Sequence, residues 1–169
     1  MAEQLDQYIV QHGKRLFGLC VHLCGSTYEA EDLYQETWLR VVKNLHRYDK
    51  NKPFEGWLTT ICVNVYRDIL RRKKITSAFH GMQEGLLGKD SRDELENIPA
   101  LEQADYSSLY AAVRCLPDKL RITIILYYFY DLKETQVAET LGVPLGTIKS
   151  RLHKARELLR KEISRESEI

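Results

Sequence analysis

Residues 133–161 carry the sequence pattern of a helix-turn-helix. In the first of the two helices, Val137 and Leu141 are spaced to face a core, and the small residue Ala138 suits a close helix crossing. Gly142 follows at the turn. The second helix has an apolar stripe with steps of four, three and four residues, formed by Ile148, Leu152, Ala155 and Leu159. Because each helix needs the other to bury its stripe, this stretch predicts a compact α-helical unit.

The second helix of this motif leaves a polar arc facing solvent. Its side chains donate hydrogen bonds or carry positive charge, like those that reach base edges and phosphates in a major groove. They are Thr147, Lys149, Ser150, Arg151, His153 and Lys154. Arg151 is either a phosphate contact or an intramolecular strut, and Thr135 in the first helix is placed to donate to a phosphate. A plain helical hairpin is the alternative, but the small residue, the turn glycine and the polar arc together favour DNA recognition.

The charge distribution supports a polyanionic partner. The net charge of +1 would by itself argue against nucleic acid. However, residues 67–74 hold five Lys/Arg against one acid, and residues 145–165 hold seven against two. Seven Asp/Glu lie in residues 84–106. Two basic patches separated by an acidic stretch indicate a polyanion-binding protein with a nearly neutral overall field.

The apolar content of 44% indicates a globular chain, and no apolar run approaches the roughly 20 residues of a membrane span. The N-terminus lacks the basic flank and apolar core of a signal peptide. We therefore expect a cytoplasmic protein without membrane insertion.

The four cysteines are predicted to be buried structural thiols. Cys20, His22 and Cys24 suggest a metal site, but on a helix His22 points away from the face shared by the two cysteines. Cys62 and Cys115 lie in apolar helical contexts without a CxxC partner. No metal ligand is assigned.

Helical periodicity runs through nearly the whole chain, so the predicted fold class is all-α. Helices are expected at about 3–24, 28–46, 54–74, 104–116 and 118–130, with Ser26 or Thr27 capping the second. Residues 76–103 are rich in glycine and charge, which predicts a flexible linker. The expected organisation is two small helical domains, 1–75 and 104–165, joined by that linker. The C-terminal domain would be a four-helix unit containing the helix-turn-helix.

The second predicted helix exposes a mixed face formed by Asp32, Gln35, Glu36 and Leu39. A pair of catalytic carboxylates would need a cleft and an acid with a raised pKa, and three short helices offer little cleft. A central apolar residue rimmed by hydrogen-bonding groups is instead typical of a contact patch. The face therefore predicts protein docking.

Two blocks of sequence together resemble a known family. The segments DLYQETWLRV (32–41) and FEGWLTTICVNVYRDILRRKK (54–74) resemble the first conserved domain of bacterial sigma factors. The segment LPDKLRITIILYYFYDLKETQVAETLGVPLGTIKSRLHKARELLRK (116–161) resembles their last. With only these domains, the chain resembles the extracytoplasmic-function (ECF) group of the sigma-70 family, over essentially all of its length except 76–103.

The resemblance implies an alternative sigma factor that binds core RNA polymerase and directs promoter-specific initiation, without catalysis or cofactor. The docking face of the second helix would hold the clamp helices of the polymerase largest subunit. The second helix of the helix-turn-helix would be the recognition helix that reads the −35 element. The apolar helix 118–130 would dock on the polymerase flap. An anti-sigma protein is the further partner that the family implies.

For the −10 element, the resemblance implies that the third helix opens and reads DNA. Its candidate contacts are Asn64 for a base edge, and four cations expected along one side for phosphates: Arg67, Arg71, Arg72 and Lys73. The loop 48–52 is where the family places a captured base. Core packing is the preferred interpretation of Trp57, and Asp68 is expected to tie down an arginine rather than touch DNA.

Two other functional classes remain as alternatives. A transcriptional regulator of the response-regulator output type shares the C-terminal four-helix unit, but residues 28–74 show neither alternating strands nor a phosphoacceptor aspartate after a strand. An enzyme is disfavoured because the sequence has no Gly-rich phosphate loop, nucleophile elbow or metal-ligand spacing.

Overall fold

A computed structural model of the protein describes residues 2–83 and 107–166. Every regular element in these two ranges is helical, which confirms the predicted all-α class. The chain divides into two compact units, with the division between Ile98 and Pro99.

The N-terminal unit packs three helices against one another. They are α1 (Ala2–Leu23), α2 (Thr27–Asn44) and α3 (Phe54–Gln83), with a short 3₁₀ turn (Leu45–Arg47) after α2. Fully buried aliphatic side chains form the core, and they come from all three helices: Leu16, Leu19, Leu33, Val41, Leu58, Val63 and Val65.

The start of α2 confirms one of the two predicted caps. The Ser26 hydroxyl accepts a hydrogen bond from the Glu29 backbone N–H at 3.2 Å. The Glu29 carboxylate in turn accepts from the Gly25 backbone N–H at 3.2 Å. Together these bonds satisfy donors that a helix N-terminus would otherwise leave unpaired.

Three of the four cysteines are buried, as predicted, and one is not. Cys20 and Cys62 meet across the interface of α1 and α3 with their Sγ atoms 3.8 Å apart. The pKa of the Cys20 thiol is raised, mainly by the hydrogen bond with Cys62 and secondly by burial, so the thiol stays protonated. The prediction is wrong for Cys115, which is exposed because it is the last residue of its helix and its side chain lies outside the core.

Within residues 107–166, the C-terminal unit contains four α-helices. They are α4 (Ser107–Cys115), α5 (Asp118–Ile124), α6 (Glu134–Leu141) and α7 (Leu145–Glu166). Arg121 fixes the turn between α4 and α5, because its guanidinium bonds Asp118 at 2.9 Å and the Arg114 carbonyl at 3.3 Å. Of the four residues predicted for the buried stripe of α7, Ile148, Leu152 and Ala155 belong to the core, whereas Leu159 is only half-buried.

Within the described residues, two of the predicted helices differ from the observed ones by more than one or two residues at an end. The helix α3 continues to Gln83, into the segment predicted as linker from residue 76. The glycine content of this segment suggested a break in the helix. However, residues 54–83 contain no proline, which would remove a backbone hydrogen bond from the helix. The rest of the predicted linker lies outside the described residues. The predicted helix 118–130 changes at Ile125 into a π-helical turn that ends at Phe129. Asp131, two residues further on, has a left-handed backbone with a φ of 55°.

Gly142 offers a test of the turn in the helix-turn-helix. Its φ is +64° and an added Cβ would meet no atom within 4 Å, so any cost of Gly142→Ala comes from the backbone alone. We expect this variant to lower the free energy of unfolding by about 1–2 kcal/mol, measured by urea denaturation. Gly146→Ala is the matched control, because Gly146 is helical and equally unobstructed, and a gain of up to about 1 kcal/mol is expected. Equal stability of the two variants would contradict a required left-handed turn.

Candidate functional site

The helix α7 presents the polar arc that its periodicity predicted. Lys149, Ser150, His153 and Lys154 are exposed on the side opposite the buried stripe. Thr147 and Arg151 are half-buried at the edges of the arc. The helix is therefore fixed to its unit by one face and leaves the other to solvent.

Local contacts involve three residues of this arc, Ser150, His153 and Lys154. The Ser150 hydroxyl donates to the Thr147 carbonyl at 2.9 Å, so its remaining capacity is as an acceptor. His153 Nε2 and Lys154 Nζ lie 3.8 and 3.9 Å from the Glu157 carboxylate. Exposed ion pairs at such distances are weak, so a phosphate competes well for the lysine.

The helix α6 precedes this arc and presents Thr135 near its N-terminus. Thr135 is exposed, one residue after the helix begins at Glu134. The Gln136 side chain accepts a hydrogen bond from the Lys133 backbone N–H at 2.9 Å and so caps the helix. Thr135 itself faces solvent.

The exposed face of α3 gathers some of the predicted −10 residues. At about 100° per residue, Asn64 and Arg71 lie almost in line, and Arg67 lies within about 60° of Asn64. All three are exposed. The exposed residue Arg72 lies at the edge of this stripe, at about 80° from Asn64.

Lys73 does not belong to this stripe, so the expectation that the four cations lie along one side is wrong. It lies about 180° from Asn64 around the helix. Its ammonium pairs with the Glu29 carboxylate at the start of α2. The lysine therefore joins two helices on the far side of α3.

Asp68 ties down two arginines. Its Oδ2 lies 2.9 Å from Arg40 Nη1 on α2, and its Oδ1 lies 2.8 Å from Arg71 Nη2 on α3. Arg40 Nε also lies 3.3 Å from Glu36 Oε1. The hydrogen bond with Asp68 is the largest cause that raises the pKa of the Arg40 guanidinium, which therefore stays charged.

The loop 48–52 is held by internal hydrogen bonds. The Tyr48 hydroxyl donates to the Lys52 carbonyl, and the Lys52 backbone N–H donates to the Asp49 carbonyl at 3.0 Å. The Asp49 carboxylate accepts from the Asn51 backbone N–H at 3.0 Å. These bonds give the loop a defined shape.

An aromatic cluster supports this loop. Tyr48 contacts the rings of Phe54 and Trp57, with centroids 5.3 and 5.1 Å away. Tyr8 of α1 stacks on Phe54 at 3.8 Å. Phe54 is buried, but Trp57 is only half-buried, so the expected core packing of Trp57 is only partly realised. Sequence periodicity missed Tyr8, because the contact joins residues far apart in the chain.

The predicted docking face is present on α2. Asp32 and Gln35 are exposed, and the side chain of Leu39 is 55% exposed. Glu36 is half-buried beside Arg40. Val42, at 49% exposed, extends the apolar centre of the face and was missed. Its spacing of three from Leu39 was the signal that would have found it.

The C-terminal unit also has an apolar groove between α4, the end of α5 and the last part of α7. Its volume is about 470 Å³ and its apolar lining includes Leu109, Val113, Ile124, Phe129, Leu159 and Ile163. Arg156 stands at its edge, where Nε donates to the Tyr128 hydroxyl at 2.8 Å. The Tyr128 side chain is exposed, so this part of the chain is not fully covered by its own unit.

Neither a metal site nor a membrane-spanning helix is found in the part of the chain that the structure describes. No group of three or more His, Cys, Asp or Glu side chains in residues 2–83 and 107–166 is arranged to hold a metal ion. None of the helices in these ranges combines the length and the hydropathy needed to cross a bilayer.

Comparison with protein families places both units in one family. The model for Sigma-70 region 2 matches residues 8–75, and the model for Sigma-70, region 4 matches residues 106–159. The ECF RNA polymerase sigma factor SigW of Bacillus subtilis is 31% identical over 163 residues, covering 88% of this chain and 83% of the relative. This chain belongs to the ECF group of the sigma-70 family. It therefore has an alternative sigma factor's role in transcription initiation.

Other relatives agree with this assignment. The ECF RNA polymerase sigma factor SigE of Mycolicibacterium smegmatis is 34% identical over 167 residues, which cover 96% of this chain and 62% of that protein. Among solved structures, the sigma factor RpoE in complex with the anti-sigma factor NepR from Bartonella quintana has a TM-score of 0.76 at 22% identity, covering 96% and 98% of the two chains. CnrH in complex with the cytosolic domain of CnrY has a TM-score of 0.68 at 20% identity, covering 97% and 90%. These structures share the fold of this ECF factor.

Proposed function

We propose that this ECF sigma factor binds core RNA polymerase and directs promoter-specific initiation by recognising −10 and −35 elements. The main support for this proposal is that each matched region has a helix with one face buried in the core and an exposed polar face opposite to it. Domain 1–75 would dock on polymerase and open the −10 element. Domain 104–165 would read the −35 element, with 76–103 as the linker. In this role the protein works in the cytoplasm and has no catalytic activity of its own.

The face of α2 is the proposed polymerase contact. Leu39 and Val42 supply an exposed apolar centre, and polar groups surround them. Such a composition suits an interface core with a hydrogen-bonding rim. The polar rim consists of Asp32, Gln35 and Glu36.

The stripe on α3 and the loop 48–52 are the proposed −10 surface. Opening DNA means unstacking bases at a few kcal/mol per step, and capture of a flipped base offsets that cost. Asn64 is suited to a base edge, and Arg67, Arg71 and Arg72 to the displaced strand. A loop held by internal bonds and an aromatic cluster loses little freedom when it captures a base. Because Lys73 pairs with Glu29, we assign it the weakest role of the five.

The exposed arc of α7 is the proposed −35 surface. Lys149 and Lys154 are suited to phosphates or guanine edges, and Ser150 to accepting a hydrogen bond from a base. The remaining members of this surface are Thr135, Thr147, Arg151 and His153.

Two protein contacts complete the proposal. The apolar groove beside α5 suits docking on the polymerase flap, because Tyr128 and the groove leave apolar surface uncovered. An anti-sigma protein is the expected inhibitory partner, since both similar solved structures are complexes, one of them named with an anti-sigma factor.

Charge reversal on the docking face tests polymerase binding. Glu36→Lys should weaken binding to core polymerase while the fold remains, because the partly exposed i,i+4 ion pair of Glu36 with Arg40 contributes only about 0.3–0.5 kcal/mol to stability. A reversed charge inside a docking patch costs several kcal/mol of binding. Size-exclusion chromatography with core enzyme should show co-elution of the wild type and reduced co-elution of the variant. Asp6→Lys on α1 is the matched control. A wild type that fails to co-elute at micromolar concentration contradicts the proposed function.

Asn64→Ala tests base capture. The variant should slow open-complex formation with little change in closed-complex affinity, because a flipped base is available only after unstacking. Permanganate footprinting measures opening and gel shift measures affinity, on a promoter found by run-off transcription over a genomic library. Gln7→Ala, an exposed amide on α1, is the control. Equal loss in both measurements would mean that this surface merely binds duplex DNA.

Lys154→Ala and Ser150→Ala test the recognition helix by their contrast. If Lys154 contacts phosphate, its loss should weaken binding to all sequences and lower the salt slope by about one. Loss of Ser150 should instead flatten the preference at one or two −35 positions, with little change in salt dependence. The opposite pattern in a promoter-variant series would mean that Lys154 reaches a guanine edge. No effect from either would remove α7 from DNA recognition.

A further inference from the structure

One carboxylate joins the two proposed surfaces of the N-terminal unit. Asp68 gives one oxygen to Arg40 on α2 at 2.9 Å and the other to Arg71 on α3 at 2.8 Å. Arg40 belongs to the helix proposed to dock on polymerase, and Arg71 to the stripe proposed to contact DNA. The function proposed above gives Asp68 no role in DNA binding.

The two bridges of Asp68 differ in their exposure. The side chains of Arg40 and Asp68 are 31% and 30% exposed, and their bridge joins two helices. Arg71 is 73% exposed and pairs with Asp68 within one turn of the same helix. An exposed pair of this kind is weak and is screened by salt, whereas the interhelical bridge is better shielded.

A DNA phosphate is a strong competitor for the exposed arginine. Guanidinium groups bind phosphates with short, charge-assisted and often bidentate hydrogen bonds. When a phosphate takes Arg71, Asp68 keeps its bridge to Arg40, so its charge is not left unpaired. The geometry therefore permits the exchange without loss of the interhelical contact.

We propose that Asp68 is a positioning residue that competes with DNA phosphates for Arg71. The balance between its ion pair with Arg40 and its ion pair with Arg71 then sets how strongly α3 binds a single DNA strand without regard to sequence. Removal of the Asp68 charge releases Arg71 to DNA, and removal of Arg40 leaves Asp68 entirely to Arg71. This inference rests on the proposed role of α3 in −10 recognition.

The salt dependence of single-strand binding tests the competition. The full chain is titrated against a fluorescein-labelled single-stranded DNA of mixed sequence, by anisotropy, at a series of KCl concentrations. Because log K falls as log salt rises, the slopes are compared by their magnitude. Asp68→Asn should steepen the fall of log K with log salt, and Arg71→Gln should make it shallower. The two slopes should bracket that of the wild type and differ by about 0.7, the value for one phosphate on a single strand. The double variant should match Arg71→Gln alone.

Three further variants separate this competition from general charge and folding effects. Asp6→Asn changes the net charge equally at an exposed position on α1 and should leave the slope unchanged. Arg40→Gln should lower the slope, but not when Arg71 is already replaced. Arg71→Lys should keep most of the slope, because it preserves the charge. Thermal unfolding by circular dichroism checks that each variant is folded, and Asp68→Asn keeps an acceptor for Arg40.

The outcomes distinguish this inference from the function on which it rests. If Asp68→Asn raises the slope as much in the Arg71→Gln background as in the wild type, a general charge effect replaces the proposed competition. If Arg71→Gln lowers the slope while Asp68→Asn and Arg40→Gln leave it unchanged, only the role of Asp68 is overturned. If Arg71→Gln has no effect, Arg71 does not contact DNA, and both this inference and its part of the −10 surface are wrong.

Discussion

Burial of one apolar stripe on each helix is the interaction on which the rest of this structure depends. Both units are small and bury a modest area, so each helix must give one whole face to the core. In α7 that requirement falls on Ile148, Leu152 and Ala155, which are fully buried. The opposite face is then left to solvent, and its orientation is fixed by the packing. The surfaces proposed for DNA and polymerase are the complements of the core stripes.

Ion pairs between helices then modify what those surfaces offer. The basic run at the end of the region 2 match looks uniform in sequence, but its members differ in the fold. Lys73 is bound to Glu29 across the helix interface, and Arg71 shares Asp68 with Arg40. Cations that contribute equally to the net charge are therefore unequally available to a phosphate. An estimate of DNA contacts from charge alone would overcount them.

The two units of this ECF factor follow a common plan in the proposed function. Each has one surface for DNA and one for protein: α3 and α2 in the first unit, and α7 and the apolar groove in the second. The local supports differ. An aromatic cluster holds the loop 48–52 in the first unit, which suits capture of a single flipped base. A helix with a solvent-facing arc suits reading of intact duplex in the second.

The sequence by itself determined the helical class, three of the four residues of the α7 stripe, a cap at Ser26 or Thr27 and the turn at Gly142. The structure selected Ser26 as the cap. These features depend on residues within one or two helical turns, where periodicity and capping chemistry act directly. Whether the candidate residues bind DNA or polymerase stays a prediction. Only the tertiary structure decided that Tyr8 stacks on Phe54, that Lys73 faces Glu29 and that Cys115 is exposed. Periodicity assigns a residue to a face of its own helix, whereas its neighbour comes from a distant segment that only the packing of helices brings into contact.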